Sequence, residues 1–181
     1  VQVQSGTLAF GGDGGTSTGQ FNIAADTELA FLFGSQTWQT GAVATGEGAV
    51  AVRNVNSVSG GTLVVNGDVS VSRLNLGYLG TLSGAGTLTL TGTGSQWTAG
   101  LMTGGGTTTI ATGADLTLGG NAIKYLGRTI QNEGMLIEAS TGNWVELDGA
   151  VTINNLGTFD VRADTSWKNY YSPNGTLTLN N

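Results

Sequence analysis

Few side chains of this chain are suited to acid-base or nucleophilic chemistry. The sequence contains neither histidine nor cysteine, which excludes the usual near-neutral proton shuttle, thiolate chemistry and Ser-His or Cys-His arrangements. Glu146 and Asp148 stand two residues apart in a strand-like segment, where both project from one face, as in a glycoside hydrolase with paired acids. We expect them instead to be two solvated charges on an exposed strand.

A second cluster contains basic and phenolic side chains. Lys124, Tyr125 and Arg128 lie close together in the sequence, and a polysaccharide lyase needs a base and a cation that neutralises a uronate. An ordinary loop is the alternative, and we favour it. We therefore predict no catalytic residues, and we keep a polysaccharide lyase or glycoside hydrolase as the alternative.

A possible metal site is indicated by residues 11–15 (GGDGG). They are similar to one fragment of the glycine-aspartate nonapeptides that bind Ca²⁺ between the turns of a β-roll. Such sites need consecutive copies, whereas the fragment occurs once. We predict a turn here, with no metal site and no cofactor.

Aromatic side chains are the stronger surface signal. Aligning residues 142–147 with residues 113–118 points Val145 and Leu147 inward and Trp144 outward. An outward aromatic strip could stack on sugar rings or fill a partner's pocket. Covering the edge of the fold or capping its C-terminal end is the alternative, which we favour. The candidate glycan- or partner-binding residues are Trp97, Trp144, Trp167, Tyr170 and Tyr171.

The elements that must position these residues are marked by a recurring phrase of glycine followed by alternating apolar residues. It stands at residues 6–10 (GTLAF), 61–65 (GTLVV), 86–90 (GTLTL), 157–161 (GTFDV) and 175–179 (GTLTL). Units recur with the same polarity about every 18 to 28 residues, which is typical of a solenoid whose turns stack as parallel strands. We predict an all-β parallel β-helix, a single domain over residues 1–181, with about eight or nine coils and a length of about 40 Å.

Period-two alternation assigns side chains to the core or to water. The predicted inward pairs are Leu63 with Val65, Leu88 with Leu90, Leu116 with Leu118, Val151 with Ile153, and Phe159 with Val161. In residues 135–138 the alternation fails, because either Met135 and Ile137 or Leu136 and Glu138 face out. We expect an apolar patch or a covering loop at that place.

With these phrases the chain resembles the repeat regions of large bacterial secreted and surface proteins, the autotransporter-passenger-like and filamentous-adhesin-like right-handed β-helices. The likeness is carried by residues 84–98 and 104–118 and continues into residues 128–134. It implies a right-handed coil and a secreted or bacterial cell-surface location, and it transfers no catalytic residue.

Composition limits the partners. The net charge is −6 and 10% of the residues are charged, so the chain lacks the basic surface that binds nucleic acid. No apolar run approaches the roughly 20 residues that cross a bilayer, and we predict no membrane insertion. Both ends read as cut or processed strands.

The predicted function is a non-catalytic, stiff rod of a secreted or cell-surface protein, used for adhesion or end-to-end fibre assembly. Strand addition at an exposed edge supplies main-chain hydrogen bonds, so the predicted partners are other copies or adjacent repeats of a larger protein. A carbohydrate-binding or polysaccharide-degrading β-helix is the alternative. The candidate assembly strands are Val1, Gln2, Val3 and Gln4 at one end, and Thr176, Leu177, Thr178 and Leu179 at the other.

Threonine pairs suggest one further activity. Residues 87–89 and 107–109 would stack into a flat array of the kind that orders water in ice-binding solenoids. The positions taken as equivalent on other coils hold Ala9, Val64, Asp160 and Arg162. We therefore interpret these threonines as β-branched residues suited to exposed strands.

Overall fold

A computed structural model of the chain describes residues 1–55, 59–171 and 174–181, which form 24 β-strands and no helix. The first strands are β1 (Gln2–Val3), β2 (Thr7–Gly11), β3 (Gly15–Ser17), β4 (Gln20–Ile23), β5 (Glu28–Trp38), β6 (Val43–Thr45), β7 (Ala49–Val52) and β8 (Gly61–Val65). The middle strands are β9 (Asp68–Val71), β10 (Leu74–Leu76), β11 (Thr81–Ser83), β12 (Thr87–Leu90), β13 (Ser95–Trp97), β14 (Gly100–Met102), β15 (Thr107–Ile110) and β16 (Asp115–Leu118). The last strands are β17 (Lys124–Leu126), β18 (Thr129–Asn132), β19 (Met135–Glu138), β20 (Val145–Leu147), β21 (Ala150–Asn155), β22 (Thr158–Val161), β23 (Trp167–Lys168) and β24 (Thr176–Asn180).

The strands stack into a parallel β-solenoid of about eight turns, which confirms the predicted fold class. Each turn visits three faces in the same order. Sheet A contains β1, β4, β6, β9, β12, β15, β18, β21 and β24. The other fifteen strands form sheets B and C, which β5 joins by bending from one to the other. Sheet B runs from β2 through β7 to β22, and sheet C runs from β3 through β8 to β23.

The core fills the space between the three faces. Register is strict from turn to turn, as where Leu88 pairs with Val69 on one side and with Thr108 on the other. Alternation therefore buries every second residue and produces apolar columns along the axis. The predicted inward positions Leu63, Val65, Leu88, Leu90, Leu116, Leu118, Val151 and Ile153 are all buried.

The last strand of sheet B departs from the predicted burial. Val161 pairs with the buried Glu138 and so follows an inward column, yet it is 61% exposed. Within the described residues, β22 has β19 as its only neighbouring strand, so no strand of this part of the chain covers Val161. In β19 itself, Leu136 and Glu138 take the inward positions and Met135 faces out. The ambiguity in this segment is resolved by a glutamate in the core.

Glycines allow the turns to approach each other closely at the corners. Gly84 has a φ of 101°, and a Cβ at this position would lie 2.2 Å from the carbonyl oxygen of Val65 on the preceding turn. An L side chain cannot occupy either the conformation or the space. A similar gap at Gly106 holds the guanidinium of Arg128 from the following turn.

Sheet A carries a regular polar outer surface on its last five strands. The first column is Thr87, Thr107, Thr129, Thr152 and Thr178, and the second column is Thr89, Thr109, Gln131, Asn154 and Asn180. We call these ten positions the threonine face. The residues previously taken as equivalent lie elsewhere, because Ala9 and Asp160 belong to sheet B and Val64 belongs to sheet C. These residues are therefore not the equivalents of the threonines; on the sheet A strands before β12, the two columns hold Asp68, Ser70 and Val43 instead.

An asparagine ladder continues one inward column of sheet A. The column is apolar as far as Ile110, which pairs with Asn132. Asn132 Nδ2 donates to Asn155 Oδ1 at 2.6 Å, and Asn155 Nδ2 donates to Asn181 Oδ1 at 2.5 Å. A stack of identical amides satisfies each side chain by its neighbour on the next turn. The core of the C-terminal turns is thus partly polar.

Candidate functional site

The aromatic side chains near the C-terminal end form one cluster on the outer side of sheet C. Trp144 contacts Tyr170 with ring centroids 5.8 Å apart and lies nearly parallel to Tyr171 at 6.2 Å. Tyr170 and Tyr171 meet edge to face at 4.9 Å. Trp144 is half-buried, whereas both tyrosines are exposed. The structure therefore brings together three of the five predicted aromatic candidates.

Charged groups complete this aromatic cluster. Lys168 Nζ lies 3.8 Å from the centroid of the Trp144 ring, within cation–π range. Glu146 Oε2 accepts a hydrogen bond from Trp144 Nε1 at 2.8 Å, and Oε1 accepts one from the main-chain N–H of Tyr171 at 2.6 Å. Glu146 is fully buried beneath these groups. The prediction that Glu146 is a solvated charge is wrong, because the segment that follows β23 folds over it.

The geometry of this aromatic cluster is better suited to stabilising the C-terminal turns than to binding a sugar. Stacking on a sugar requires an open aromatic face, but one side of Trp144 is occupied by Lys168 and its other ring contacts are Tyr170 and Tyr171. The carboxylate that would act as a paired acid is buried and hydrogen-bonded, while Asp148 is exposed on the same side. These contacts favour the capping role over glycan binding.

The other two aromatic candidates belong to the core. Trp97 is fully buried at the end of β13, so the prediction that it is a surface binding residue is wrong. It takes the inward position because it stacks in register between Leu76 and Leu118. Trp167 pairs with Val145, packs against the core, and meets Phe159 edge to face at 5.9 Å. Neither residue joins the cluster around Trp144.

Lys124 points into the solenoid, away from Tyr125 and separate from Arg128. It is fully buried, and its Nζ donates to Ser140 Oγ at 3.0 Å and to the carbonyl of Ala122 at 3.3 Å. Burial lowers the pKa of Lys124, and the nearby carboxylate of Glu138 opposes this shift. Glu138 Oε1 accepts the main-chain N–H of Ser140 at 2.9 Å. Lys124 was predicted to lie on a surface loop. It instead begins strand β17, and its side chain lies in the core beside Ser140 and Glu138.

Tyr125 and Arg128 occupy two different places. Tyr125 is on the outer side of sheet C, where burial and the proximity of Tyr171 and Glu146 raise its pKa. Arg128 is buried at the corner before sheet A, where Nη2 donates to the carbonyls of Gly86 and Thr107. Burial lowers the pKa of Arg128 to about 10, so the guanidinium stays charged at neutral pH. The three side chains do not converge as a lyase site requires.

The glycine-rich segment at residues 11–15 forms part of the first turn. Asp13 Oδ1 accepts the main-chain N–H of Ser35 at 2.8 Å and so connects this segment to the next turn. Across residues 1–55, 59–171 and 174–181, no three acidic side chains come together as metal ligands. The carboxylate of Asp13 therefore accepts a main-chain hydrogen bond, which is a structural role.

Both ends of the solenoid expose strand edges. Among the described strands, β1 pairs with β4 alone and β24 pairs with β21 alone. Leu177 and Leu179 continue the inward columns of Val151 and Ile153 but remain 37% and 49% exposed. The candidate assembly residues at the C-terminal end therefore combine unpaired main-chain groups with open apolar surface.

Replacing Trp144 by phenylalanine tests whether the cluster is structural. The variant keeps an aromatic ring but removes the Nε1 donor to Glu146, and losing a hydrogen bond to a charged group costs about 1.5–3 kcal/mol of unfolding free energy. Tyr170→Phe is the matched control, expected to change stability by less than about 0.5 kcal/mol. Urea unfolding at neutral pH measures both. Equal stabilities of the two variants contradict the capping role.

Comparisons with protein-family models, with curated proteins and with solved structures find no match to this chain. No helix long and apolar enough to cross a membrane occurs among the described residues.

Proposed function

We propose that this chain is a non-catalytic, stiff structural rod of a secreted or bacterial cell-surface protein, which extends end to end. The observation that carries the proposal is the pair of open edges, with β1 exposed at one end and β24 at the other. Every described strand is parallel to its neighbours, so a further turn can add to either edge without reversing direction.

The C-terminal edge favours covering by another turn. The inward side chains Leu177 and Leu179 are partly exposed there, and burying them would stabilise the assembly by about 25 cal/mol per Å² of apolar surface. The unpaired groups of β24 gain main-chain hydrogen bonds at the same time. The proposed partner is a second copy of this chain or an adjacent repeat of a larger protein.

A non-catalytic role is supported by the state of the candidate acid-base groups. Glu146 and Lys124 are buried and bonded to neighbouring side chains, and Arg128 is bonded to carbonyl oxygens. The likeness to repeat regions of bacterial surface proteins supports the secreted location. A net charge of −6 supports partners other than nucleic acid.

Self-association is tested by negative-stain electron microscopy and sedimentation velocity at rising protein concentration. We expect rods that join end to end, with a repeat of about 40 Å for eight turns. Leu179→Lys should abolish this association, because it places a charge on the apolar end. Thr178→Lys is the matched control, since its side chain lies on the outer side of the same strand.

The outcomes separate the two proposed partners. Association that Leu179→Lys abolishes and Thr178→Lys preserves supports pairing between copies. A monomer at all concentrations rejects pairing between copies and leaves an adjacent repeat of a larger protein as the partner. In that case, a chain extended by one further turn should be more stable than the present chain.

A further inference from the structure

The threonine face differs from the rest of the surface in having no charged residue. Its ten positions on β12, β15, β18, β21 and β24 comprise threonine, asparagine and glutamine alone. Sheet B carries the Glu28–Arg53 ion pair on its outer side, and sheet C carries Lys168. A neutral ligand therefore suits these five strands of sheet A better than either of the other faces, although the exposed Asp68 borders them on β9, beside Thr87.

The positions on this face form a two-dimensional lattice. Adjacent parallel strands lie about 4.8 Å apart, and side chains two residues apart on one strand are separated by about 6.6 Å. Strict register keeps Thr87 beside Thr107 and Thr89 beside Thr109. These spacings have the scale of the lattice repeats between equivalent oxygen atoms on the flat faces of hexagonal ice, which are longer than one hydrogen bond.

The hydroxyl groups of the face are available to water. Within the described part of the chain, the seven threonine hydroxyls of the face make no hydrogen bond to another residue. Threonines in the neighbouring column behave differently, since Thr91 Oγ1 donates to the carbonyl of Val71 and Thr45 Oγ1 to that of Phe21. The side chains on β12, β15 and β18 are half-buried, which gives a flat surface of methyl and hydroxyl groups.

We propose that the threonine face binds ice. Each hydroxyl would take a lattice water as a hydrogen-bond partner, while the methyl groups between them order the intervening water. The rigid parallel stack fixes these groups before binding, so little conformational entropy is lost on contact. Crystalline polysaccharide is a poorer fit, because sugar rings need aromatic platforms and the ten positions include none.

The proposal is tested by thermal hysteresis and by incorporation of the purified protein into a growing ice hemisphere. The wild-type chain should shape ice crystals, separate the freezing and melting points, and enter the ice. Thr109→Lys places a long charged side chain on the face, between Thr89 and Gln131, and should remove most of the hysteresis. Thr117→Lys, on the outer side of sheet B, is the matched control and should keep it.

The outcomes are distinct from those of the assembly experiment, because the threonine face lies along the rod and the assembly edges lie at its ends. Circular dichroism and thermal unfolding establish that each variant is folded. The absence of both hysteresis and ice incorporation for the wild type overturns the proposal. Equal loss in Thr117→Lys overturns it too, as does wild-type binding to cellulose or chitin particles without binding to ice.

Discussion

Asn132→Asp is expected to lower the free energy of unfolding by about 3–5 kcal/mol at neutral pH, the cost of an uncompensated buried charge. Asn132 is fully buried, and its Nδ2 donates to Asn155 Oδ1 and, at 2.8 Å, to the carbonyl oxygen of Thr158. Aspartate has the same shape, but it places a carboxylate oxygen, which only accepts, against the oxygen atoms of Asn155 and Thr158. Two hydrogen bonds are lost and repulsion replaces them.

The pH dependence identifies the cause. Burial among acceptors raises the pKa of the new carboxyl above the usual value of about 3.9. The destabilisation is therefore complete above the folded-state pKa and decreases as the pH falls through it, because the protonated acid is neutral and can donate. Urea unfolding of the variant and the wild type from pH 7 to pH 4 measures this difference.

Asn154→Asp, on the outer side of the neighbouring strand β21, is the matched control. Its Oδ1 already accepts a hydrogen bond from Asn180 Nδ2 at 2.7 Å, and a carboxylate keeps that role in contact with water. We expect a change of less than about 0.5 kcal/mol. Similar losses at positions 132 and 154 would contradict a specific contribution of the inward ladder.

Local alternation made the strands predictable. Whether Leu63 or Leu88 points inward depends on its immediate neighbours, because period two fixes the two faces of any strand. Glycines at the corners then marked the ends of the strands. Those signals lie within a few residues, and they sufficed for the fold class and for most of the core.

The face on which a strand lies was not predictable from the phrase. Similar phrases occur on all three sheets, so Ala9, Val64 and Thr87 looked equivalent although they belong to sheets B, C and A. Which strands stack depends on the number of residues at each corner and on packing between turns. The sequence indicates the stacking of residues 87–89 on 107–109, but the extension of the threonine face to β18, β21 and β24 follows only from that register.

The polar groups of the core were missed for a related reason. Asparagine tolerates a positive φ and is typical of turns, so local sequence does not mark Asn132, Asn155 and Asn181 as core residues. The sequence did contain one signal for the asparagine ladder. Asparagine recurs at, or directly beyond, the end of three successive sheet A strands. Burial of Glu138 and Lys124 depends on neighbouring turns, and local patterns carry no information on it.

Glu138→Leu is expected to destabilise the protein by about 3–5 kcal/mol at neutral pH, although it places an apolar residue in a core position. The reason is Lys124, whose buried ammonium loses the carboxylate that opposes its desolvation. The double variant Glu138→Leu with Lys124→Met removes both charges. It should recover most of the loss, because no buried charge remains, but not all of it, because the buried main-chain N–H of Ser140 loses its acceptor on Glu138.

The sign of the pH dependence follows from the lowered pKa of Lys124. Between its folded-state pKa and the unfolded value of 10.5, the unfolded chain binds more protons, so stability rises with pH. Removing Glu138 lowers the folded-state pKa further and widens this window. Glu138→Leu should therefore recover stability as the pH is raised towards 10, whereas the double variant should not. Glu133→Leu, an exposed acid on the same turn, is the control for the loss of a negative charge. A pH-independent loss in Glu138→Leu would assign the effect to packing instead of to the buried ammonium.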